Sequence, residues 1–216
     1  MTDRIGHIVN SNSHIDYVCQ LASPLEREQR PAPDAYAFGA FVAIDLPQQP
    51  ATAPDAANSR APDPNAAEPP CLIGVIYNTL LVNPNFTNLG PRLTSQAEQA
   101  VFSPDLIDET AMLVSVLALG WQDNDGPQQG TPRLAAEVSA PVRHLTDEEV
   151  RQFHRDASGR LTLRYAATLL ALNNQLVPAL LLEIIDRLGS LFPHEQAILQ
   201  VMRDNVAWKS IVRPAG

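Results

Sequence analysis

The spacing of apolar positions changes once along this chain, near residue 145. Before that point the pattern is that of strands. Residues 4–9 and 14–21 are apolar runs joined by the polar stretch Asn10-Ser11-Asn12-Ser13, which predicts a hairpin with a four-residue loop. Residues 36–46, 71–81 and 110–119 are apolar almost throughout, with Gly39 and Gly74 inside the first two and Gly120-Trp121 closing the third. Glycines within strands suit the sharp bends of a small barrel. No amphipathic helix separates the early strands, so an antiparallel barrel is expected over a parallel βαβ sheet.

After residue 145 the period becomes helical. Thr146-Asp147-Glu148-Glu149 has the form of a capping box, and the helix it opens carries Val150 and Phe153 before Ser158-Gly159 ends it. From residue 160 to 189, Leu161, Tyr165, Leu169, Leu172, Leu176, Leu180, Ile184 and Leu188 recur close to every 3.6 residues. Pro178 should split or bend that stretch. Pro193 opens a last helix with Ile198, Val201, Met202, Val206 and Trp208. The expected class is α+β: a small antiparallel barrel over residues 1–145, then a helical domain over 146–216.

Composition adds two interruptions. Residues 47–70 hold seven prolines and seven alanines in twenty-four positions and almost no large apolar side chains. Such a segment cannot offset its ordering entropy by burial, so a disordered or extended insertion is expected there. Residues 122–132, with Asp125-Gly126, Pro127 and Pro132, read as a loop. Residues 165–182 carry no charge and approach a membrane-spanning length. Asn173, Asn174, Gln175 and Pro178 at the centre would be costly in lipid, which favours a buried helix.

Charge is lopsided. The net of −9 belongs entirely to residues 1–145, with seven arginines against sixteen acids; residues 146–216 balance eight against eight. An acidic barrel half repels phosphate backbones and argues against direct nucleic-acid binding. Arg151, Arg155, Arg160 and Arg164 are expected on a solvated helix face. The first residues lack a basic-then-apolar leader, and Cys19 and Cys71 lie in strand-like runs. Reduced, buried thiols and a cytoplasmic location are the expectation.

Candidate chemistry is sparse. The single lysine, Lys209, and the lack of any Gly-Lys pair exclude a Walker A phosphate loop. Two cysteines cannot supply a Cys₄ zinc site. The histidines, His7, His14, His144, His154 and His194, show no metal-binding spacing, although a hairpin could bring His7 towards His14. Asp123-Asn124-Asp125-Gly126 lacks the acidic positions of a calcium loop and reads as a turn. His154-Arg155-Asp156 matches a kinase triplet without its trailing asparagine. Asp105, Asp108 and Glu109 could do acid–base work, but adjacent strand positions face opposite ways, which favours a solvated loop. No enzyme, cofactor or metal is expected.

The order Arg4-Ile-Gly-His-Ile-Val-Asn-Ser-Asn-Ser, then Ala37-Phe-Gly-Ala-Phe-Val-Ala-Ile, then Leu72-Ile-Gly-Val-Ile resembles the HAS-barrel. That is the small N-terminal barrel of HerA-type DNA translocases and rotary ATP synthase ring subunits. The resemblance spans residues 3–145. In those relatives a P-loop ATPase domain follows; here the following residues are helical and carry no such loop, and the insertion at 47–70 departs from the pattern. The resemblance implies a barrel without its motor, serving assembly, adaptor work or docking. The alternative is an accessory subunit of a HerA-like nucleic-acid-processing ATPase complex. The leucine stripe Leu169, Leu172, Leu176, Leu180, Ile184 and Leu188 is either helical core or a face for a protein partner or a second copy.

Overall fold

The computed structural model describes residues 4–22, 31–47, 69–82 and 111–212. Seven strands are present among them: β1 (Arg4–Ser13), β2 (Asp16–Leu21), β3 (Phe41–Asp45), β4 (Cys71–Val82), β5 (Ala111–Asp123), β6 (Gly126–Gln129) and β7 (Pro141–His144). Six of them close a ring in the order β1-β2-β5-β4-β3-β7, every pairing antiparallel. β6 lies outside the ring, paired to the last residues of β5. Closure satisfies the backbone groups that an open sheet would leave along its edges.

Burial on both sides explains the continuous apolar runs. Val42 and Ile44 on β3, Leu72 and Ile76 on β4, and Val114 and Val116 on β5 fill the barrel interior. Their alternates, Phe41, Ala43, Ile73, Val75, Leu117 and Leu119, join a second cluster on the outside, beneath the helices. A strand covered on one face alternates; one covered on both does not.

Two expected loops are hairpins of tighter design. Asn10–Ser13 belongs to β1, and the turn is His14-Ile15, with Ser13 opposite Asp16. These polar residues pair through their backbones on an exposed extension of the barrel, and their side chains carry no sign of it. Likewise, residues 122–132 do not form a single loop. β5 runs on to Asp123, turns at Asn124-Asp125 and returns as β6, with Gln122 opposite Pro127. Asp123 Oδ1 accepts the Asp125 amide at 2.9 Å inside that turn. Gly74 sits at a register irregularity between β4 and β5, as a bending position should. Gly39 lies in the turn before β3 at φ +83°, where a Cβ would come within 2.5 Å of Glu183 Cγ.

Four α-helices follow among the described residues: α1 (Asp147–Phe153), α2 (Tyr165–Ala171), α3 (Val177–Leu191) and α4 (Gln196–Val212). The Thr146–Glu149 capping box is formed in both directions. α1 ends at Phe153, short of Ser158-Gly159. The Asp156 carboxylate instead takes the amides of Ser158 and Arg160, at 2.9 and 3.0 Å, and holds a separate turn. Of Arg151, Arg155, Arg160 and Arg164, Arg151 alone therefore lies within α1; Arg155 stacks on Phe192 at 5.8 Å. Pro178 falls in the first turn of α3, and the stretch from 160 to 189 becomes two helices. Among the described residues, no helix is long and apolar enough to cross a membrane. Residues 48–68, most of the Pro/Ala segment, and Asp105, Asp108 and Glu109 lie outside the described residues.

Gln129, on β6, fastens the helices to the barrel. Its Nε2 donates to the carbonyls of Phe153 and Thr162, both at 2.9 Å, and its Oε1 accepts the Arg164 amide at 2.7 Å. Every bond is to backbone, so the joint is set by chain geometry and independent of neighbouring side chains.

Candidate functional site

The leucine stripe is spent inside the molecule. Leu169, Leu180, Ile184 and Leu188 are buried, in one cluster with Phe41, Val75 and Leu119 of the barrel wall. Leu172 is half-buried against the same cluster. Leu176, just before α3, is the most open of the six at 38%. The surface covering this stripe is the chain's own barrel.

Among the described residues of the helical part, the most exposed large apolar side chains are on α4. Ile198, Val201 and Trp208 are 54%, 61% and 66% exposed. With Asn205 they follow each other at three- and four-residue steps along one face. Leu199 and Val206 hold the opposite side of the helix in the core, with Met202 half-buried beside them. An ion pair between Arg203 and Asp186 ties α4 to α3. The sequence pattern placed Ile198, Val201 and Trp208 with Met202 and Val206 on a single apolar helix. Three of those five face solvent. The signal was present in the sequence: a helix with two apolar stripes is covered on two sides or left open on one.

A second feature lies at one end of the barrel, where β3 finishes and β4 begins. A cavity of about 470 Å³ opens there, with Leu46 and Leu72 from the barrel interior and the indole of Trp121 among its walls. Leu72 stands opposite Trp121 across the β4–β5 pair. Trp121 Nε1 donates to Asp123 Oδ2 at 3.0 Å, which fixes the ring against the wall. Arg133 and Leu134, just after β6, complete the rim, and both are exposed.

Several other titratable groups are held structurally. His14 Nε2 meets the Pro132 carbonyl at 2.7 Å, so this ring pins the segment after β6 to the first hairpin. His154 is fully buried; desolvation holds its imidazole down to about 4, against the upward pull of a hydrogen bond to Val150. Cys19 and Cys71 are buried thiols outside any disulfide, and burial pushes the Cys19 thiol up to about 12, far from a reactive thiolate. Tyr77 donates to both oxygens of Asp16, at 3.0 and 2.9 Å. Burial and that carboxylate together push the phenol up to about 12. Among the described residues, no group of three or more His, Cys, Asp or Glu side chains could hold a metal ion.

No curated protein matches this chain. A family model matches residues 2–52 and 65–215, and its break falls within the Pro/Ala segment. The chain therefore belongs to the family described as Domain of unknown function (DUF8166).

Proposed function

We propose that this protein is a non-enzymatic interaction module, an adaptor or assembly factor that associates through α4. The observation that carries this reading is the open face of Ile198, Val201 and Trp208 on a helix whose other side is anchored in the core. A well-packed protein rarely leaves three large apolar side chains aligned in water without a use for them. Their anchoring from behind keeps the face pre-formed, so little ordering entropy opposes association. Buried thiols outside any disulfide suit a reducing, cytoplasmic setting. The test is light scattering across micromolar concentrations on the wild type and on an Ile198→Glu/Val201→Glu double variant. Concentration-dependent dimer formation, abolished in the variant with helicity retained, supports the reading. A monomer at every concentration counts against self-association.

A second reading follows from the barrel. Its six-stranded closure agrees with the resemblance to HAS-barrels, and it supports a role beside a HerA-like ATPase. Affinity capture that recovers such an ATPase, and loses it on substitution of barrel residues alone, favours this reading over the first.

A further inference from the structure

We infer that the cavity at the end of the barrel is a binding site for a small organic carboxylate with an apolar tail. Its volume of about 470 Å³ is that of an ordinary small-molecule pocket. Three wall groups, Leu46, Leu72 and Trp121, are apolar and continuous with the barrel interior, and they would take a tail out of water. The two charged groups at the cavity are not equivalent. Asp123 is already engaged through both oxygens, by the Trp121 indole N–H and the Asp125 amide. Arg133 makes no ion pair with any described residue, and it lines the cavity as an exposed residue. Apolar walls with an arginine at the mouth that pairs with no described acid are complementary to an anion with an apolar body. A carboxylate is the simplest anion that a guanidinium grips through two parallel hydrogen bonds. A cationic ligand would meet Arg133 unfavourably, and each Asp123 oxygen already accepts one hydrogen bond. This site is separate from the α4 face, so neither assignment depends on the other.

Octanoate serves as the probe, added to the full-length ¹⁵N-labelled protein while the two indole N–H signals are followed. The Trp121 signal should move and saturate while that of Trp208 stays still, which makes Trp208 an internal control. Arg133→Gln, a change at an exposed position, should weaken octanoate binding about tenfold, as expected for loss of a charge-assisted bond. Octan-1-ol, which has the same tail without the charge, should bind the wild type about as weakly as octanoate binds the variant. Absence of a saturable Trp121 shift overturns the site. Equal affinity of wild type and variant for octanoate, or of the wild type for octanoate and octan-1-ol, overturns the carboxylate assignment.

Discussion

The hydroxyl of Tyr165 donates to Nε2 of His154 across 2.7 Å, and the same imidazole is 2.7 Å from the Val150 carbonyl through Nδ1. A carbonyl can only accept, so Nδ1 carries the proton and Nε2 accepts from the tyrosine. The ring is neutral, and Phe41 and Phe153 meet it edge-on with centroids at 5.2 and 5.0 Å. Protonation would place a charge among those rings and cost Nε2 its bond from Tyr165.

Folding therefore holds the His154 pKa at about 4, below the ordinary 6.5. Between those values the unfolded chain binds a proton that the folded chain refuses. The stability this group contributes is complete above pH 6.5 and is lost as the pH falls towards 4, by on the order of 3 kcal/mol in all. Urea midpoints at pH 7.5, 5.5 and 4.5 should fall steeply for the wild type. His154→Gln keeps an acceptor and a donor in place without a titrating group, so its midpoints should fall less over the same interval. Parallel slopes for the two proteins would show that the acid sensitivity arises elsewhere.

Two glycines should respond in opposite directions to alanine. At Gly120 a Cβ would lie 2.0 Å from the Gln128 carbonyl oxygen and 2.9 Å from a Phe153 ring carbon, so β5 and β6 would have to part. Gly120→Ala should destabilise by at least about 1–3 kcal/mol, the usual cost of overpacking. Gly189, within α3, has nothing within 4 Å of the same position. Gly189→Ala should stabilise by about 0.5–1 kcal/mol through helix propensity and a less flexible unfolded chain. Thermal melts of the two variants against the wild type decide both signs.

Elements whose side chains report their surroundings were legible in the sequence. The runs that became β3, β4 and β5 were readable because both faces are buried, and α1 because Thr146 and Glu149 are the capping residues themselves. The polar ends of β1 and β5 were not, because backbone pairing holds them while their side chains resemble loop. The stripe Leu169, Leu172, Leu176, Leu180, Ile184 and Leu188 reads in the sequence as either core or a partner face; Leu169, Leu180, Ile184 and Leu188 are buried, whereas Ile198 and Val201 are open. Periodicity shows that a helix has an apolar face; which body covers it depends on tertiary placement. The role of Gln129 left no pattern at all, since each of its three partners is a backbone group distant in sequence.

That glutamine makes a separate prediction. Gln129→Ala deprives the Phe153 and Thr162 carbonyls and the Arg164 amide of their side-chain partner. A cost of about 1–3 kcal/mol is expected where such groups are shielded from water. The more telling readout is hydrogen exchange: the Arg164 amide should lose protection in the variant while amides within β4 keep theirs. Unchanged exchange at Arg164 would mean that packing of Phe153 and Tyr165 already holds this junction closed.

The capping box links helix and barrel through one carboxylate. Glu149 accepts the Thr146 amide and hydroxyl, both at 2.7 Å, and pairs with Arg143 of β7 at 2.5 Å. Burial pushes its pKa up, but the bonds from Thr146 and Arg143 outweigh that and hold the carboxyl below its ordinary 4.5. A carboxyl lowered in this way stabilises the fold above pH 4.5, and that contribution disappears as the pH drops through the folded value. Thr146→Ala should cost about 1 kcal/mol at pH 7, the usual loss for an N-cap. It should also raise the Glu149 pKa, leaving Arg143 as the main side-chain partner. The cost should shrink at pH 3, where the carboxyl is increasingly protonated and the cap has less to hold. A Thr146→Ala penalty equal at pH 7 and pH 3 would show that the hydroxyl's own bond to the Glu149 amide, at 3.3 Å, carries the cap by itself.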